Sequence, residues 1–326
     1  MKTMFNLSTS SDDMRRYSCR DELLAMMDGF DGVELSCFET DERRVIPPER
    51  VVGLHMSAYP YWFDFWNRDE AALTREFGSL ELCEQYYGGS SREALLTRFR
   101  RDIARAKAYE VEYLVFHVSD ASAEESFTRV YRHSDQEIIE AASEILNILF
   151  ASEDGSLVLL LENLWFPGLN LTNPRMTRHL LDCVAYPNAG IMLDTGHLMH
   201  TDTKLSTQKD ALRYIHEVLD AHGELCDRVR GIHLNQSLTG EYAERMMREP
   251  PVLKETFAER YAQMFEHGFS VDRHLPFTCA GVGDLIRRIA PDYLTFEFIT
   301  RDKPQHKAYL KAQWTALGGP GCTSGF

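Results

Sequence analysis

The chain has 326 residues, 44% of them hydrophobic, and a formal charge of -15. That apolar content suits one large α/β barrel or two ordinary domains, and the excess of acid disfavours a broad nucleic-acid surface, because nonspecific phosphate binding comes largely from Lys and Arg displacing counterions. The seven cysteines are scattered, odd in number and contain no CxxC pair, which argues against a disulfide framework and against a thiolate zinc site.

The N-terminus "MKTMFNLSTSSDDMRR" has no apolar signal core, and no run approaches the roughly 18 apolar residues of a membrane span. The expectation is a cytoplasmic protein with no membrane partner. Its domain is expected over residues 1–317, followed by a flexible tail over 318–326, "GGPGCTSGF".

In chain order, eight short aliphatic runs predict strands: "TMFNLSTS" (3–10), "GVELSCF" (32–38), "VVGLHMS" (51–57), "VEYLVFHVS" (111–119), "SLVLLLENL" (156–164), "AGIMLDTGH" (189–197), "VRGIHLNQ" (229–236) and "YLTFEFIT" (293–300). Near-continuous apolar runs suit strands buried on both faces of a parallel sheet. Between the third and fourth, "SREALLTRFRRDIARAKAYE" sets Leu96, Phe99, Ile103 and Ala106 on one helical face, with Ser91 as its cap. Further helices are predicted over 134–150, 174–186, 207–222, 252–267 and 304–317. The repeating pattern favours an α/β fold, a (β/α)8 TIM barrel, over a doubly wound sheet. Its second unit is shortened to "ETDERRVIPPER", while the connections over 58–91 and 237–283, after strands three and seven, are long and long loops usually carry function.

Such barrels place their active sites at the C-terminal ends of the strands. Those ends here supply His55, His117, Glu162, Asp194 with His197 just beyond, His233 and Glu297; the loop after strand seven adds Asp272 and His274. One such His is more often a hydrogen-bonded core residue than a ligand. Glu162 in "VLLLENLWF" and Glu297 in "LTFEFIT" are harder to dismiss, since a carboxylate in an apolar strand costs several kcal/mol unless paired, protonated or bound to a cation. Convergence decides: one ring of strand ends offers only His, Asp and Glu. Unpartnered carboxylates that close would repel one another, so cations are implied, and because nine potential ligands exceed what one ion can use, two or three of them. Imidazoles and carboxylates without thiolates point to zinc, with Mn2+ or Fe2+ as alternatives.

With "GLH", "VFH", "LEN", "LDTGH", "RGIHLN", "DRH" and "FEF" in this order at strand ends, residues 50 to 300 resemble the endonuclease IV branch of the xylose isomerase-like TIM barrels, the AP endonuclease family 2 superfamily. The resemblance implies His55, His117 and Glu162 around a first metal. Glu162 would bridge to a second, held also by Asp194, His233 and Glu297, and His197, Asp272 and His274 would hold a third. It implies a zinc-dependent phosphodiesterase in which Glu162 orients the nucleophile, with Glu162 and Glu297 as the catalytic pair.

The departures set the substrate. The DNA-cleaving members carry a basic loop after strand two; here only Arg43, Arg44 and Arg50 remain to touch a phosphate. After His55 comes the aromatic "MSAYPYWFDFW", which either packs its loop or forms a wall in which Tyr59, Trp62 and Trp66 bind substrate. The expected partner is therefore a small-molecule phosphodiester and not DNA, and the cobamide-remodelling phosphodiesterases of the superfamily, which cut the nucleotide loop of a corrinoid, are the narrower resemblance. The rival is a sugar isomerase or epimerase with one divalent ion on Glu162, Asp194, His233 and Glu297, in which the two glutamates move a proton.

Overall fold

The computed structural model describes residues 1–38 and 45–319. Arg43, Arg44 and the tail from residue 320 onward lie outside the described residues. Eight parallel strands close into a barrel in sequence order: β1 (Lys2–Ser8), β2 (Gly32–Ser36), β3 (Val51–His55), β4 (Tyr113–His117), β5 (Val158–Glu162), β6 (Ala189–Asp194), β7 (Val229–Leu234) and β8 (Tyr293–Phe296). Every predicted strand forms, most of them a few residues shorter than predicted, and the ladder still takes in the polar tips His55, His117, Glu162, Asp194 and His233.

Alternation along each strand sorts the barrel interior into layers. Tyr113, Val115, Val158, Leu160, Met192 and Tyr293 belong to one buried apolar cluster. Two residues further along the same strands come His117, Glu162 and Asp194. The apolar plug therefore continues, at the period of two, into a polar ring. Gly53 is required in β3 because the Tyr113 ring fills the space that a side chain there would occupy. The main core, including Phe5, Leu54, Leu114, Leu161, Leu193 and Phe296, lies between the sheet and the helices.

The helix Arg92–Tyr109 buries Leu96, Phe99, Ile103 and Ala106 as the spacing predicts, and Ser91 is its N-cap residue without a side-chain capping bond. The helix expected over 252–267 instead runs Phe257–Val271, since Thr256 accepts the capping hydrogen bond from Glu259 N. Between β2 and β3 the described residues hold only the short turn Pro48–Arg50. Arg50, expected to be free for a phosphate, donates its guanidinium to the carbonyl of Phe30 at 2.6 Å.

Both long connections are largely helical. After β3 come Phe63–Asn67, Glu70–Phe77 and Leu80–Tyr87; after β7 come Gly240–Arg248 and Phe257–Val271. β3 and β7 stand on opposite sides of the closed barrel, yet their insertions meet. Phe77 packs on Phe257 with ring centroids 4.5 Å apart, the Tyr86 and Tyr261 hydroxyls lie 2.5 Å apart, and Arg260 donates to the Glu76 carbonyl. Both also hold the helix Ala123–Thr128 after β4, through Glu76 to Ala123 N at 3.1 Å and His267 to the Ser126 carbonyl at 3.1 Å. A packed bridge thus links opposite sides of the C-terminal rim. Among the described residues no helix is long and apolar enough to cross a membrane.

Candidate metal centre

Strand register sets the polar residues side by side at the mouth: His117 pairs with Glu162 and Asp194 with His233. Asp194 also caps the short helix Thr195–Met199, accepting from His197 N at 2.6 Å. That turn carries His197 over the mouth. Gly196 is obligatory in it, because a side chain would strike the Asn235 side chain. The "DRH" segment is fixed by Ser237, whose Oγ accepts from the backbone N–H of Arg273 at 2.8 Å and of His274 at 3.2 Å.

The structure brings all nine sequence-predicted ligands into one cluster, six of them buried and His55, His117 and Glu297 partly exposed. Around Glu162 Oε2 stand His55 Nε2 and His117 Nε2, each at 3.0 Å and themselves 3.0 Å apart. Around His233 Nδ1 stand Glu162 Oε1 at 3.1 Å, Glu297 Oε2 at 3.2 Å and Asp194 Oδ2 at 3.9 Å. Asp272 Oδ2 lies 3.0 Å from His197 Nε2 and 2.6 Å from His274 Nε2.

Among the described residues three groups bring one ligand atom from each member within 4.8 Å of the others: His55, His117, Glu162; Glu162, Asp194, His233, Glu297; and Asp194, His197, His274. The last differs from the expected third set by holding Asp194 in place of Asp272. At His197 the hydrogen bonding favours Asp272. His197 Nδ1 is 2.9 Å from the Asn163 carbonyl and must donate its proton there, which leaves Nε2, the atom facing Asp272, as the free ligand. His55 repeats the pattern, with Nδ1 on the Met56 carbonyl at 2.9 Å and Nε2 in the cluster.

The charges and orphaned atoms fit cations. Five carboxylates, Glu34, Glu162, Asp194, Asp272 and Glu297, crowd these imidazoles. At His274 it is Nδ1, the nitrogen turned away from Asp272, that is buried without a hydrogen-bond partner, 3.6 Å from Glu297 Oε2, so on that side the open donor belongs with the group that holds Asp194. In the metal-free state the groups titrate against one another. Burial pushes the Asp194 carboxyl up to about 7, helped by Glu297 and Glu162 and opposed by His197 and His274. Burial alone would lower His55, but the hydrogen bond and charge of Glu162, with Glu34, raise it to about 9. Burial likewise opposes protonation of His274, and Asp272 and Glu297 carry it to about 9. At His117 burial wins and the pKa falls.

Several residues of the site escaped the sequence reading. Glu34 accepts from His233 Nε2 at 3.0 Å. His200 Nε2 is 3.2 Å from Asp272 Oδ1, one turn beyond His197. Asn163 brackets the Asp194 backbone, and Asn235 donates to Asp194 Oδ2 at 2.8 Å. Glu34 carried the same signal as Glu162, a lone carboxylate in an apolar strand; His200 stood three places after a chosen ligand.

The aromatic wall is a correction. Trp62 and Trp66 are 4% and 0% exposed and have no free ring face for a substrate. Trp62 donates to the Ser119 carbonyl and Trp66 to Glu144, so these rings pack the loop onto the barrel. Tyr59 is half-buried against Tyr86, Tyr87 and Phe99. An aromatic that does pack beside the cluster is Trp165, its ring 5.3 Å from His197 and 4.8 Å from His200.

The model of the xylose isomerase-like TIM barrel family matches residues 22–314, and the chain belongs to that family. Among solved structures it is similar to the IolI protein with a binding zinc atom (14% identity, 100% of this chain and 97% of that one, TM-score 0.52). It is similar also to AsfvAP:AG (13%, 97% and 98%, TM-score 0.51) and to the 3-keto-D-glucoside 4-epimerase YcjR from E. coli in its apo form (12%, 97% and 99%, TM-score 0.50). At these identities the likeness is one of fold. No curated protein matches the sequence.

Proposed function

We propose that this protein is a metal-dependent hydrolase that cleaves a small-molecule phosphodiester with two or three divalent cations, zinc foremost. The observation that carries the reading is the adjoining of three ligand groups, the first two sharing Glu162. One cation on Glu162, Asp194, His233 and Glu297 would leave His55, His117, His197, Asp272 and His274 as a second set of donors without a task. Bound cations would supply a water of lowered pKa and charge neutralisation at the attacking and leaving oxygens.

The protein's own residues do the rest. Glu162 faces His55 and His117 with one oxygen and His233 with the other, which suits it to orient the attacking water. Glu297, at 14% side-chain exposure more open than Glu162 or Asp194, is the group to exchange a proton with the substrate. The bridge between the two insertions supports a compact substrate over a duplex, which needs an open groove along the rim. With Trp62 and Trp66 buried, the aromatic stretch no longer favours a corrinoid, and a cobamide nucleotide loop is one phosphodiester to be tried among others.

A second reading has its own observation. Glu162 and Glu297 flank His233 Nδ1 at 3.1 and 3.2 Å, and two carboxylates about one cation position can shuttle a proton between the carbons of a sugar. Elemental analysis separates the two. On the order of three zinc ions per chain, with turnover of an aryl phosphodiester and negligible nicking of an abasic duplex, supports the hydrolase. A single exchangeable Mn2+ or Mg2+ with epimerisation of a ketose overturns it.

A further inference from the structure

His233 is held differently from its neighbours. His55 and His197 each rest a ring nitrogen on a neutral backbone carbonyl, whereas His233 Nε2 faces the Glu34 carboxylate at 3.0 Å. Glu34 is 2% exposed and His233 0%. The same oxygen, Glu34 Oε2, accepts from the Tyr113 hydroxyl at 2.7 Å and from Thr295 Oγ1 at 3.2 Å. Donors from β4, β7 and β8 thus converge on one carboxylate from β2, on the barrel axis between the apolar plug and the polar ring. An anion is stable in that place only because three donors surround it.

We infer that Glu34 is a positioning residue that fixes His233 as its Nε2–H tautomer, aims Nδ1 at Glu162, Asp194 and Glu297, and thereby sets the affinity of that group for its cation. This rests on the reading that the group holds a divalent cation and is independent of the reaction catalysed. A full negative charge behind an imidazole makes the far nitrogen a stronger donor and pins the ring, and removing such a partner typically weakens metal binding about 10–100-fold. A merely structural ion pair would change the stability of the metal-free fold and leave the affinity alone.

The test is zinc titration of the chelator-treated full chain by calorimetry, with folding checked by circular dichroism. Glu34→Gln keeps the shape and removes the charge; one zinc-binding step is expected to weaken about 10–100-fold while the others hold. In the zinc-loaded parent, 15N spectra of labelled histidine are expected to show the His233 proton on Nε2, a readout that does not depend on the variant folding. A folded Glu34→Gln protein with unchanged steps, or a proton on Nδ1, overturns the inference. A parent that binds no divalent ion overturns the cation reading itself.

Discussion

Replacing Glu162 by glutamine removes one negative charge from the point where four imidazoles meet: His55 and His117 at 3.0 Å from one oxygen, His233 at 3.1 Å and His197 at 3.3 Å from the other. In the metal-free protein burial works against a charged His55, and the hydrogen bond and charge of Glu162 overcome it, so that His55 titrates at about 9. A histidine whose folded pKa lies above its unfolded value of about 6.5 stabilises the fold fully below that pH and loses the contribution as pH rises through 9. The linkage is on the order of 3 kcal/mol at pH 6.5 and nearly gone at pH 9.5. The glutamine amide fills the same volume without the charge. The metal-free Glu162→Gln variant should therefore be destabilised by up to about 3 kcal/mol more at the lower pH than at the higher one. Urea denaturation of chelator-treated parent and variant at the two pH values measures this. An equal loss at pH 6.5 and 9.5 would refute the electrostatic account of the cluster.

The metal-free parent should melt at progressively lower temperature between pH 6.5 and 9, as His55 and His274 discharge. Zinc at about 100 times its Kd should restore about 2.7 kcal/mol, and a flat melting profile without metal contradicts the assignment. His197→Ala should lower the zinc content of the loaded protein by about one ion and spare the group on Glu162, Asp194, His233 and Glu297. Unchanged content, read by atomic emission, removes the third cation position. Phe77→Ala deletes the ring that packs on Phe257; it should cost about 3–5 kcal/mol and expose the helices Gly240–Arg248 and Phe257–Val271 to limited proteolysis. Parental resistance would mean that the bridge does not depend on this contact.

The strands were legible because each is buried on both faces and so reads as an unbroken apolar run, ended by its polar tip. Glu162 and Glu297 were legible for the converse reason, that a carboxylate in such a run needs a partner. The same logic applied to Glu34 in "GVELS", but its partner is Nε2 of His233, three strands away around the barrel, a contact that no local pattern encodes. The aromatic stretch after His55 misled because composition does not say which way a ring faces. Trp62 and Trp66 turn inward, where their N–H groups find the Ser119 carbonyl and Glu144, and they seat the loop on the barrel.

By itself the sequence determined the chain order of eight strands, the shortened second unit and the nine polar strand-end and loop residues, all consequences of period and burial that act within a few residues. Only the tertiary structure decided which nitrogen of each histidine faces the cluster, that His197 Nε2 meets Asp272 while Asp194 braces the backbone of the same turn, and that insertions rooted on opposite strands pack together through Phe77 and Phe257. Those outcomes depend on side chains far apart in the chain competing for the same donors and the same space, which is settled only when the barrel closes.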